Sequence, residues 1–300
     1  MRTGIPRRAP VIGRIVIDGP PLGHFPSVAE PLSMAEAILT AVLRQWPTKA
    51  TADFLITPGG FLYGLTPSGL SGKKSWQSDP DDFAKLVDAA SLLVERLVTP
   101  RVASAAKGKC RYLTVGVDLG NEHGVEAELV AVLDLGCRKA VRWTGKSYPT
   151  PAQERTLIQI VDLDSHLLKL AGERILVLGC HDLNMFSPRA WANQLPSSPR
   201  RQRCGAMRNL VGDFEPSVIL QHPHETDSPR IWRMPWLWLA KQFKGAVWAS
   251  GICFYRGGRN ERSDLRAVLS DTRSDPDDSR DFIVRTRETP IRIGERILSV

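Results

Sequence analysis

The apolar run Arg174-Ile-Leu-Val-Leu-Gly179 ends abruptly at Cys180-His181-Asp182, and Ser187-Pro188 opens a helix shortly after. A run this short falls far below the roughly 18 residues of a membrane span, so it reads as a buried strand that delivers a thiol to its C-terminal tip. Strand, polar loop and capped helix make the unit of layered α/β folds, in which loops beyond the strand ends handle ligands. Cys180 therefore has two readings, a reactive thiol or an inert core cysteine.

The same unit recurs along the chain. Arg14 to Asp18 is a β-branched run closed by Gly19-Pro20-Pro21. Ser33 and Glu36 form a capping box ahead of Ala37, Ile38, Ala41 and Val42 at helical spacing. Ala52 to Thr57 predicts a strand running into Pro58-Gly59-Gly60, whose glycines let the backbone turn tightly or approach a ligand. Asp79 caps and Pro80 opens a helix to about Val98. Tyr112 to Val117 predicts a strand leading to Asn121-Glu122-His123, with Glu122 placed to line a site. Ala127 to Leu133 and Lys139 to Trp143 flank Asp134-Leu-Gly-Cys137, a hairpin signal, so antiparallel pairing is mixed into the βα alternation.

Leu157 to Val161 reads as a further strand, and the helix at Ser187-Pro188 runs only to Asn193 before an irregular basic insertion, Leu195 to Arg203. Val218 to Gln221 is a strand ending in His222-Pro-His224; Ser228-Pro229 opens a tryptophan-rich helix containing Pro235; Gly245 to Phe254 is another strand. Residues 257–281 form a polar excursion and 282–300 the C-terminal strands. No repeat or strong linker divides the 300 residues, so one domain is expected, of α/β (α+β layered) class with its core at about 12–255.

Forty Lys+Arg against 32 Asp+Glu give a formal charge of +8, concentrated at Arg7-Arg8, Lys73-Lys74 and Arg200-Arg201-Gln202-Arg203. Solvated loops are the plain reading of those clusters; nucleic acid or another anionic partner is the weaker one. Five cysteines form no CxxC pair and no even framework. With no membrane-length run and no apolar leader behind the basic N-terminus, a reduced, cytoplasmic protein with no membrane association is expected.

Four polar strand ends can converge: Pro58-Gly59-Gly60, Lys146, Cys180-His181-Asp182 and His222-Pro-His224. A thiol beside a lysine in a partly desolvated pocket has its thiolate favoured, and the ammonium can also stabilise an oxyanion formed on a carbonyl or nitrile. Taken alone, Lys146 is as well explained as a solvated loop lysine.

In this order the pieces resemble the nitrilase, or carbon-nitrogen hydrolase, superfamily. Ala52 to Gly64 is similar to that family's strand and loop ending in proline, glutamate and a Phe-Leu-x-Gly-like turn. Leu133 to Glu154 resembles its hairpin, catalytic lysine and downstream glutamate, and Ile175 to Pro188 its nucleophile segment. The resemblance implies a nitrilase-like αββα sandwich, Cys180 as nucleophile, Lys146 as oxyanion partner, Glu154 as supporting carboxylate, Gly59, Gly60 and Asp182 around the pocket, no cofactor, and a homodimer. It also exposes a departure, because Gly59 stands where the family's first catalytic glutamate is expected, and glycine cannot take a proton.

Two repairs are open. His181, His222 or His224 replaces the missing base, or His222 and His224 with Asp182, His181 or Asp227 bind a metal that activates water. The first is preferred, and no metal is expected. The function expected is a divergent amidase or nitrilase-like hydrolase of a small amide or nitrile, acting on a non-peptide carbon–nitrogen bond. The alternative is a catalytically inactive binding module of the same fold.

Overall fold

The computed structural model describes residues 8–19, 22, 31–47, 51–121, 124–226, 229–254, 264–275, 280–285, 291–293 and 296–298. In chain order the elements are β1 (Ile12–Asp18), α1 (Pro31–Arg44), β2 (Ala52–Ile56), β3 (Leu62–Leu65), α2 (Pro80–Leu97), α3 (Pro100–Ala106), β4 (Cys110–Asn121), β5 (Gly124–Asp134) and β6 (Lys139–Gly145). There follow β7 (Leu167–Leu170), β8 (Glu173–Leu178), α4 (Pro188–Ala192), α5 (Pro199–Phe214), β9 (Val218–Gln221), α6 (Pro229–Gln242), β10 (Val247–Ser250), β11 (Ile252–Cys253), α7 (Leu265–Asp271), β12 (Asp281–Arg285), β13 (Ile291–Ile293) and β14 (Arg296–Leu298).

Alternation along the strands sorts these elements into four layers. One sheet runs β14-β13-β12-β1-β2-β4-β5-β6, with β11 added at β1 and β3 at β4; the other runs β10-β9-β8-β7. Ile15, Ile17, Leu55, Leu113, Val115, Leu129 and Ala131 face the first helical layer, where they meet Ile38, Leu39, Leu86, Ala90 and Val102 of α1 to α3. The opposite parity, Phe54, Ile56, Tyr112, Val130 and Val132, packs against Ile175, Val177, Val218 and Leu220 of the second sheet. Leu176, Leu178 and Ile219 face outward again onto Cys204, Met207 and Val211 of α5 and Trp232, Trp236 and Leu239 of α6. Helix, sheet, sheet, helix is the αββα order that the resemblance implies, within the layered class read from the residues.

Helix starts use one device repeatedly. Asp79, Thr99, Ser187 and Ser198 each accept a backbone amide of the first turn, and each is followed by proline at the first helical position. Such a cap contributes about 1 kcal/mol, and the proline lacks only an N–H that has no intrahelical partner there.

Four local expectations are corrected. The basic stretch is not an irregular insertion: Ser198-Pro199 caps it into α5. Its arginines are spent inside the fold, Arg200 over the Tyr148 ring at 4.7 Å, Arg201 over Trp191 at 3.3 Å, with Arg200 Nε also 2.6 Å from Glu154. Leu157 to Val161 is not a sheet strand, although the Ile158 and Ile160 amides donate to Glu126 and Lys146. The capping box does not open α1, which already runs from Pro31. The polar excursion contains α7, whose Val268 packs on Val16, Ile252 and Phe254. Glu122, His123 and Asp227 lie outside the described residues. No helix among the described residues is long and apolar enough to cross a membrane.

Candidate active site

Two carboxylates that the sequence reading passed over form the floor of the site. On β4, Thr114, Gly116 and Asp118 share the face turned to the second sheet; on β5, Glu128, Val130 and Val132 do. Asp118 and Glu128 are direct cross-strand partners, and both are buried, at 1% and 6% exposure. Like charges opposed in this way repel, and burial sharpens the repulsion. A cation has to lie between them.

His224 supplies it. Its Nε2 lies 2.8 and 2.9 Å from the two Asp118 oxygens, and its Nδ1 lies 3.2 Å from Glu128 Oε2. Burial alone would lower the imidazole's pKa, but Asp118 and Glu128 outweigh it and hold His224 well above its ordinary value. Burial would likewise raise Glu128, yet His224 and Lys146 hold its carboxyl down, to about 2.

Lys146 is the second cation. It leaves the tip of β6 one pair beyond Leu129 and Gly145, so hairpin geometry brings it opposite Glu128. Its amide donates to the Glu128 carbonyl at 2.8 Å, and Nζ reaches Oε1 at 2.8 Å and Oε2 at 3.0 Å. Gln153 Nε2 donates to Oε1 at 2.7 Å. Burial opposes the ammonium, but the negative charge of Glu128 outweighs it and raises its pKa. The carboxylate that meets Lys146 is thus Glu128; Glu154, expected in that role, pairs with Arg200 on α5 instead.

Cys180 lies just past β8, buried, with its carbonyl accepting from Gln221 Nε2 at 3.0 Å and its Sγ accepting the His224 amide at 3.3 Å. One functional atom each from Glu128, Cys180 and His224 fall within 4.8 Å of one another. Thiol, carboxylate, imidazole and ammonium therefore meet at the end of the inter-sheet layer.

Gly59 explains why this cluster fits. A Cβ built there would stand 2.6 Å from His224 Cε1, 2.7 Å from Nδ1 and 2.8 Å from the His222 carbonyl oxygen. The room a side chain at 59 would need is occupied by the His224 imidazole, and the Gly59 amide donates to the Pro223 carbonyl at 3.0 Å. Beside it Gly60 makes the turn at φ 60°.

The remaining sequence candidates serve other ends. Asp182 accepts the Ser147 and Tyr148 amides on Oδ1, at 2.9 and 2.8 Å, and the Gly179 amide on Oδ2 at 2.9 Å. It is a buried clamp between the segments carrying Lys146 and Cys180, not a pocket-lining group. His222 is buried and held neutral, its pKa pushed down to about 3 by burial. His181 is pushed down to about 4 by burial and then by Lys146; its Nδ1 pairs with Asn184 Nδ2 at 2.9 Å and its ring lies edge-on to Trp232. Of the three histidines, His224 is the one whose ring stands in the charged cluster.

The chain matches no protein-family model and no curated protein. Solved structures overlap with it at low identity. A mutant of the amidase from Nesterenkonia sp. AN1, with acrylamide added to its active-site cysteine, has TM-score 0.45 and 15% identity, covering 80% of this chain and 78% of that one. A second mutant of that amidase, described as from the nitrilase superfamily, has TM-score 0.46 and 15% identity over 83% and 79%. The amidase from Nesterenkonia sp. itself has TM-score 0.45 and 17% identity over 83% and 79%. In its own layer order the chain is an αββα sandwich.

Proposed function

We propose that this protein is a cysteine-dependent hydrolase of a non-peptide carbon–nitrogen bond, with a small amide or nitrile as substrate. The observation that carries the reading is the meeting of Cys180, Glu128 and His224 within 4.8 Å, with Lys146 bonded to Glu128. Cys180 attacks the amide carbon as the thiolate, with the Lys146 ammonium, the His224 imidazolium and the His224 amide directed at Sγ arranged around it. Lys146 stabilises the oxyanion. His224 gives its proton to the departing amine as the C–N bond breaks, leaving a thioester on Cys180. The neutral imidazole then takes a proton from water, which attacks the thioester and releases the acid and the thiol. Asp118 and Glu128 orient the ring and steady its charge.

This assigns the missing base of the resemblance to the Glu128–His224 pair, reached from β5 and the loop after β9 instead of from position 59. The alternative, an inactive binding module, calls for a site without proton-carrying groups, and the filled space beside Gly59 weighs against it. A homodimer paired through a helical face belongs to the same reading. Met234 and Leu237, 52% and 54% exposed on α6, are apolar side chains such a face would cover.

The test is a panel of small amides and nitriles assayed with wild type, Cys180→Ala and His224→Gln, alongside labelling by a small haloacetamide. Turnover lost by at least a thousandfold in Cys180→Ala, with a Cys180 adduct located by peptide mass, supports the reading. A panel without Cys180-dependent product sinks it.

A further inference from the structure

We propose that Glu128, Cys180 and His224 form a Zn²⁺ site, with Asp118 as the outer carboxylate, whose occupation blocks the thiol. One nitrogen, one sulfur and one oxygen within 4.8 Å of one another form a mixed borderline-soft donor set that suits Zn²⁺, whereas Ca²⁺ and Mg²⁺ call for oxygens throughout. Donors held tetrahedrally on Zn²⁺ at about 2.0–2.3 Å stand roughly 3.3–3.8 Å apart, so closure needs about an ångström of side-chain movement.

The orientation of His224 points the same way. Nε2 is engaged by both Asp118 oxygens, which leaves Nδ1 as the ligand, and Nδ1 is buried without a hydrogen-bond partner although Glu128 Oε2 lies 3.2 Å away. A histidine that ligates through one nitrogen and donates the other N–H to a carboxylate is the usual arrangement around bound zinc. On Glu128, Oε1 is held by both Lys146 and Gln153, while Oε2, which Lys146 reaches at 3.0 Å, is the oxygen beside His224 Nδ1 and the one that turns to the ion. Zn²⁺ takes the place of the His224 imidazolium proton, and with Lys146 its charge is matched by Asp118, Glu128 and the Cys180 thiolate. Three protein ligands leave a fourth position for water.

The metal site stands apart from the hydrolase reading; only the block of turnover rests on it. The experiment uses the full chain carrying Cys137→Ser, which removes the exposed thiol. It is titrated with Co²⁺ and then with Zn²⁺ against a chromophoric chelator, and folding of every variant is checked by circular dichroism. The expected result is one ion per chain with a thiolate-to-Co²⁺ charge-transfer band that Cys180→Ala abolishes. Asp118→Asn is expected to weaken Zn²⁺ about 10–100-fold without removing the band, and saturating Zn²⁺ to slow haloacetamide labelling of Cys180 at least tenfold. The proposal is overturned if no such band forms, if Cys180→Ala and His224→Ala bind Zn²⁺ as wild type does, or if labelling is indifferent to Zn²⁺. Metal bound and labelling slowed in a protein that turns over no amide would keep the site and sink the hydrolase. Turnover without a metal band would do the reverse.

Discussion

Asp118 and Glu128 oppose each other across β4 and β5 with their charges reconciled by one imidazole, that of His224. Removing the ring while leaving the carboxylates sets two buried negative charges face to face. His224→Ala is therefore expected to cost about 3–5 kcal/mol of stability, and Asp118→Asn in the His224→Ala background to return part of it. Urea denaturation of the four members of that cycle measures the coupling; strict additivity would contradict the arrangement.

The pH dependence of stability has two limbs of opposite sign. Glu128 is held below its ordinary value of 4.5, at about 2, so its contribution is present above about pH 4.5 and is lost as pH falls towards 2. That is worth about 3 kcal/mol, and Glu128→Gln should flatten the acid limb. His224 is raised above 6.5, so its contribution is complete below that pH and fades as pH climbs through the higher folded value. Thermal melts from pH 3 to 10 should show a plateau bounded by both limbs in wild type, with the alkaline limb missing in His224→Gln.

Gly59 and His224 compete for one volume. Gly59→Ala is expected to destabilise by about 1–3 kcal/mol through overpacking and to cost less in the His224→Ala background, where two of the three nearest obstructing atoms are gone and the His222 carbonyl is left. Equal cost in the two backgrounds, read from melting temperatures and denaturation midpoints, would place the strain elsewhere.

Asp182 is expected to act on catalysis through position. Asp182→Asn turns one acceptor into a donor facing backbone amides and should cost about 1–3 kcal/mol for each amide left unsatisfied. Because it ties the Lys146 segment to the Cys180 turn, kcat should fall by at least tenfold with KM nearly unchanged. Steady-state kinetics on the best substrate from the amide panel, compared at temperatures where both proteins are folded, makes the measurement.

Much of this arrangement is legible in the residues. Period-two alternation and the repeated cap-proline pairs fix the strands and helices around Cys180, Lys146 and His224, and Gly59 is visibly unable to carry a proton. The hairpin also held more than was drawn from it. With Asp134 and Lys139 closing the turn and one irregularity beyond it, Lys146 falls opposite Glu128, and Glu128 interrupts the face of Val130 and Val132 with a charge. Attention to the family-like spacing led to Glu154, eight residues after the lysine, whereas the partner came from across the hairpin. Asp118 and His224 were harder to join, because their meeting depends on the packing of two sheets whose strands are 106 positions apart in sequence. The α5 helix was hidden by its arginines, which read as a solvated loop until the aromatic rings that accept them were in place.

The overlap between position 59 and the His224 ring also sets a rule for sequence change. Since a side chain at 59 would overlap the His224 ring as it stands, a chain that gained a carboxylate at 59 while keeping histidine at 224 would have to move the imidazole off Asp118 and Glu128. The two groups are rivals for one position beside the thiol, and gaining the first disturbs the charge arrangement that depends on the second.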